Sequence, residues 1–134
     1  NDTALLVRAQ AGVMGDRLES ELNAAGLSLR HFPQSIALST VGGWVATRAA
    51  GQYSTRYGNM EDALLALEAV LADGTVVRTR VGPRSATGPD VRQVFLGSEG
   101  TLGIVTEVTL RAVPLPESSA GRSWSFATMA QGLE

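Results

Sequence analysis

Apolar and polar positions change period several times along the chain, and each change marks an element. Ala4 to Ala9 is a short apolar run that stops before Gly12, which predicts a strand entering a turn. From Gly15 the period lengthens. Leu18, Leu22 and Ala25 share one face, acids lie early and Gly26 stands at a stop position, so a helix is predicted. Leu27 to Phe32 reads as a short extended piece before Pro33 opens a polar loop, and Gly43 to Ala50 reads as a short helix.

Ala63 to Ala72 carries two conflicting signals. Its residues are helix formers, yet Asp73-Gly74 and the apolar run Thr75 to Arg80 follow, and Asp-Gly between apolar runs signals a hairpin. A hairpin is therefore predicted. Both faces of its first strand are expected to be covered, because Leu65, Leu67, Ala69 and Leu71 alternate with Leu64, Ala66 and Val70. Gly82-Pro83 and Gly88-Pro89 make Val81 to Pro89 a loop, and Asp90 is placed to cap a short helix carrying Val91, Val94 and Phe95. Ile104 to Val113 is β-branched and alternating, hence a strand, ended by Pro114-Leu115-Pro116. Helices and strands interleave without a βαβ count, which predicts an α+β layer with several strands on one sheet.

Composition narrows the chemistry. The chain has 134 residues, 44% hydrophobic and 18% charged, with a net charge of −2, so one folded domain is expected and no basic field recruits nucleic acid. It has no cysteine, which excludes thiolate catalysis and thiolate metal sites. Every basic residue is arginine, which removes a P-loop or Schiff-base lysine, and His31 is the single histidine. No metal site is expected, and no catalytic residue can be named. No apolar run reaches the ~20 residues of a membrane span, and Asn1-Asp2-Thr3 has no signal-peptide pattern, so a cytoplasmic location is expected.

Two glycine loops remain as candidate chemistry. Gly42-Gly43, preceded by Ser39 and Thr40, either lets a phosphate-bearing ligand approach the main chain at a helix start or is a plain turn before a buried helix; spacing leaves both open. Gly97-Ser98-Glu99-Gly100-Thr101-Leu102-Gly103 precedes a strand, so it is not a dinucleotide fingerprint, which follows one. Gly51 to Asn59, with both tyrosines, reads as a surface loop. Trp44 reads as core and His31 as structural.

Five runs, taken in order, resemble a known family: Phe32 to Ser35, Ser39 to Arg48, Tyr57 to Asp62, Val70 to Gly74 and Gly97 to Val105. The chain is similar to flavoproteins of vanillyl-alcohol oxidase and p-cresol methylhydroxylase (PCMH) type, closest to alkyldihydroxyacetonephosphate synthase-like FAD-linked oxidases. The resemblance implies an α+β fold, the second subdomain of a PCMH-type FAD-binding domain, with an antiparallel or mixed sheet and flanking helices. It also implies FAD as cofactor. Gln34, Ser35, Ser39 and Thr40 would line its adenine and pyrophosphate side, and Gly42 and Gly43 would give backbone donors to the phosphates. Thr47, Arg48, Ala49 and Ala50 would continue that wall at the helix start. Glu99, Gly100, Thr101, Leu102, Gly103, Ile104 and Val105 would pass the ribose and flavin. Arg48 and Arg56 are read either as meeting an anion or as surface residues.

The family's first phosphate loop has no counterpart in residues 1 to 15, and its substrate-binding cap would begin near Ser123. Residues 1–116 are therefore expected to form a partial FAD-binding domain, and 117–134 a linker and the start of a truncated cap domain. A fragment inactive by itself follows, with a small-molecule substrate held mainly by the cap and a homodimer among its expected partners. The alternatives are a fragment of an FAD-dependent 2-hydroxy-acid dehydrogenase of glycolate or D-lactate type and a non-catalytic α+β interaction module.

Overall fold

In the computed structural model, which describes residues 3–83 and 86–133, four antiparallel strands organise the chain. They are β1 (Leu6–Gln10), β3 (Leu64–Val70), β4 (Val76–Arg78) and β5 (Ile104–Arg111), in the order β1-β5-β3-β4. The two-residue strands β2 (Leu27–Ser28) and β6 (Val113–Pro114) pair separately. The helices are α1 (Gly15–Ala24), α2 (Val41–Thr47), α3 (Ser54–Tyr57), α4 (Met60–Ala63), α5 (Arg92–Phe95) and α6 (Met129–Leu133). The α+β class with an antiparallel sheet and flanking helices is as expected.

α1 follows its sequence pattern in part. Leu18 and Leu22 are buried, and Gly26 at φ +74° gives the left-handed turn that ends the helix. Ala25 is instead the exposed C-cap, and Glu19 takes the third buried place. That carboxylate is satisfied by the Ser28 hydroxyl and by the Leu29 N–H at 3.0 Å, so α1 holds β2.

The hairpin forms through a three-residue turn. Leu71 N–H donates to Thr75 O at 2.9 Å and Gly74 N–H to Leu71 O at 3.0 Å, with Gly74 at φ +85°. Only one face of β3 is core, however. Leu64, Leu67 and Ala69 join Val108 and Leu110 of β5 and Trp44 of α2. The other face carries Glu68, which binds Arg78 at 2.7 Å and the Thr106 hydroxyl at 2.7 Å, beside an Arg8–Glu107 pair at 2.7 Å. The expectation of two apolar-covered faces thus holds only in part: Ala66 is buried on the second face, but ion pairs cover most of it.

α5 also departs from its prediction. Its buried residues are Arg92 and Phe95, while Val91 and Val94 are exposed. Arg92 is buried because each arm has an acceptor. Nε and Nη2 donate to the two oxygens of Asp90 at 2.7 and 2.6 Å, and Nη1 donates to Leu65 O at 2.8 Å and Gly82 O at 2.6 Å. The single-turn helix α3 lies within the stretch read as a surface loop, and a second, α4, follows it and buries Met60 completely. Residues 116–133 are exposed, including Trp124, Phe126 and Met129.

Candidate functional site

α2 begins at Val41, ahead of the glycine pair, rather than at Gly43. Thr40 is its N-cap, its hydroxyl accepting the Gly43 N–H at 3.2 Å. The other donors of the first turn are engaged too: Val41 N–H meets Val13 O at 3.0 Å and Gly42 N–H meets Ala11 O at 2.8 Å. The expectation that Gly42 and Gly43 offer free N–H groups to phosphate therefore fails on geometry. Gly42 serves contact instead, since a Cβ there would lie 2.6 Å from Ala11 Cβ.

The second glycine loop is fastened to the opposite end of this helix. Gly97 N–H donates to Val45 O at 3.0 Å and Glu99 N–H to Ala46 O at 3.1 Å, satisfying carbonyls that a helix end leaves open. Gly103 lies so close to β3 that a Cβ would be 2.7 Å from Val70 O. α2, the turn after β1 and this loop thus enclose a groove of about 400 Å³.

Its floor is Ala11 and Gly12 after β1, and one wall is Thr40, Gly42, Gly43 and Ala46. Ser98, Gly100, Gly103, Ile104 and Val105 form the other wall. No charged side chain lines it, so it suits an uncharged part of a ligand. Gly12 and Gly100 differ from the other lining glycines, because a Cβ on either would meet no atom within 4 Å. Their N–H groups have no hydrogen-bond acceptor among the described residues. Packing explains neither absence of a side chain at Gly12 nor the open space beside Gly100.

Seven residues singled out in the sequence meet here: Thr40, Gly42, Gly43, Gly100, Gly103, Ile104 and Val105. The others lie outside its lining. Gln34 and Ser35 are on an exposed loop, and Ser39 accepts the Trp44 Nε1–H at 2.8 Å while donating to Ser35 O at 2.7 Å. Thr47 is the last residue of α2 and Arg48, Ala49 and Ala50 follow it, so the four lie at the C-terminal end of the helix, not at its start. There Thr47 donates to Gly43 O at 2.9 Å, and Arg48 at φ 52° donates to Leu96 O at 3.2 Å and pairs with Glu61 at 3.1 Å. Arg48, though exposed, thereby bridges α2, α4 and the loop. Glu99, Thr101 and Leu102 are exposed, with the Thr101 hydroxyl on Ser98 O at 2.6 Å.

Four lining residues, Ala11, Gly12, Ala46 and Ser98, were not singled out. Gly12 carried the one readable signal, a glycine between a strand and the next element. His31 is outside the groove, packed edge-on to Trp44 at 4.8 Å between ring centres, and burial lowers its pKa from 6.5 to about 4. It is neutral at ordinary pH and structural. Among the described residues no group of three or more His, Cys, Asp or Glu could hold a metal, and no helix is long and apolar enough to cross a membrane.

A family profile described as an FAD binding domain matches residues 1–80. The chain is 45% identical to alkyldihydroxyacetonephosphate synthase of Caenorhabditis elegans over 96% of its own length and 22% of that protein. It is 52% identical to an FAD-linked oxidoreductase of Escherichia coli, over 93% of its length and 26% of that protein. A solved structure of alkyldihydroxyacetonephosphate synthase superposes with a TM-score of 0.80 at 36% identity, covering 88% of this chain and 21% of that one. The chain thus spans about a quarter or less of these relatives.

Proposed function

The chain belongs to the FAD binding domain family, with FAD as its cofactor, and we propose that the groove between α2 and the 97–105 loop holds an uncharged, planar part of that cofactor. The observation that carries the proposal is Gly12, whose missing side chain leaves room that no protein atom fills; Gly100, a glycine that its φ of +81° already favours, faces open space as well. Glycine there allows a flat ring to lie against the main chain, and the two N–H groups are donors for its heteroatoms. Ser98 and Thr40 add hydroxyls at the rim, and Ile104 and Val105 supply apolar contact. The engaged amides of Val41, Gly42 and Gly43 argue that the diphosphate is held elsewhere.

FAD supplies the redox chemistry when bound, and this chain's part is to place it and exclude water. The groove presents no carboxylate, imidazole or lysine, so proton transfer and substrate binding belong to other segments of a longer protein. On the strength of the 45% identity noted above, that protein is proposed to be a flavin-dependent oxidoreductase of alkyldihydroxyacetonephosphate synthase type. Residues 1–116 are its FAD-holding unit, and residues 117–134 lead from it.

FAD titration followed by amide NMR tests the site. Shifts are expected at Gly12, Gly100, Ile104 and Val105, and Gly12→Val is expected to weaken FAD binding by about tenfold or more with the melting temperature unchanged. Equal affinity of Gly12→Val and the parent chain refutes the proposal.

A further inference from the structure

The segments Leu27–Pro33 and Gly51–Asn59 hold two arginines and three of the chain's aromatic residues, and no Asp or Glu. They fold onto each other. Phe32 meets Tyr53 edge-on at 5.4 Å, and Tyr53 meets Tyr57 at 6.5 Å. The Arg30 guanidinium lies over both tyrosines, at 5.4 and 5.8 Å, and Arg56 lies 5.5 Å from the Tyr57 ring centre. Stacking uses the face of a guanidinium and leaves its N–H edge for an acceptor.

Among the described residues neither Arg30 nor Arg56 has a carboxylate partner, a state they share with Arg80, Arg111 and Arg122, whereas Arg8, Arg17, Arg48, Arg78 and Arg92 are each ion-paired; what sets Arg30 and Arg56 apart is that they stand together on the same tyrosines. Arg30 Nε is buried without a hydrogen bond, an unfavourable state for a charged group. Arg30 also sits at φ 55°, a left-handed conformation that a non-glycine residue adopts at a cost. The backbone is held there by design of the local network: its N–H donates to the Ser28 hydroxyl at 2.9 Å, and that hydroxyl is bonded to the buried Glu19. An oriented, uncompensated pair of cations is the result.

We propose that Arg30, Tyr53, Arg56 and Tyr57 form a docking surface for a carboxylate-rich segment of a partner protein. None of the four lines the groove, and Tyr53 and Arg56 are exposed with Arg30 and Tyr57 partly so, which suits an extended segment lying on the surface better than an enclosed small molecule. Tyrosine and arginine are the residue types that carry binding at such surfaces, and the missing counter-charge selects carboxylates. This surface is independent of the FAD reading.

The test titrates the 134-residue chain with a hexaglutamate peptide while arginine Nε–H and amide resonances are followed. Shifts are expected at Arg30, Tyr53, Arg56 and Tyr57. Affinity should fall about tenfold between about 50 and about 300 mM salt. The Arg30→Gln/Arg56→Gln variant should bind about tenfold more weakly with FAD-induced shifts unchanged. Arg56→Gln alone, on an exposed turn, serves if the double variant does not fold. Absence of peptide shifts, or equal affinity in the variants, overturns the proposal. So does saturation by inorganic phosphate at the same affinity, which indicates a small-anion site, or self-association lost in the variant, which indicates a second copy.

Discussion

Acidification should destabilise this chain through one residue, starting before the carboxylates are protonated. His31 is only 4% exposed, packed against Trp44, and its pKa is lowered from 6.5 to about 4 by desolvation. Its Nε2 has no hydrogen-bond partner among the described residues, so nothing in place stabilises the charged ring. Above pH 6.5 the ring is neutral in folded and unfolded chains alike, and it does not affect the pH dependence. As the pH falls below 6.5 the unfolded chain takes up the proton first, and stability is lost until the folded pKa near 4 is passed. At about 1.4 kcal/mol per pH unit, the gap amounts to about 3 kcal/mol, a large share of a small domain's stability. Urea unfolding of the parent and of His31→Phe across that pH range isolates this contribution, because the variant cannot titrate there. The difference between the two should narrow by about 3 kcal/mol on going from pH 6.5 to 4, in favour of the variant. Parallel profiles, or an NMR titration placing the His31 pKa near 6.5, refute the reasoning.

Two further predictions concern packing and a buried cation. Gly15→Ala places a Cβ 2.1 Å from the Trp44 ring and 2.9 Å from Ile36 O, so a loss of about 1–3 kcal/mol is expected in thermal melts, and an unchanged melting temperature refutes it. Arg92→Met removes the donors for Leu65 O, Gly82 O and Asp90, and a loss of about 3 kcal/mol in urea unfolding is expected. Arg92→Lys should recover only part of this, because an ammonium cannot span those acceptors; full recovery would show that charge alone matters.

What could be read in the sequence was what repeats over several residues. α1, the hairpin and β5 each run for enough positions that period and turn chemistry agree. The single-turn helices α3 and α4 offer no period, and Met60 is buried through tertiary contact alone. The start of α2 was displaced because Gly42-Gly43 reads as a flexible approach. In the fold these glycines lie inside the helix, where Gly42 admits Ala11. The same tertiary fact explains why the first-turn amides of α2 are not open: their engagement depends on Ala11 and Val13, some thirty residues away. Gly12 was passed over because a lone glycine after a strand has a sufficient explanation as a turn.

The stitching of the 97–99 turn to the end of α2 has a mechanical consequence. Widening the groove requires breaking the amide bonds to Val45 O and Ala46 O together with the Arg48 contact to Leu96 O, at about 1 kcal/mol each. The two sides therefore do not breathe separately. A ligand entering the groove would meet an opening of preset width and give up little affinity to reorganise it. Speed of capture is then governed by access along the groove, and stiffness, not closure, holds the aperture.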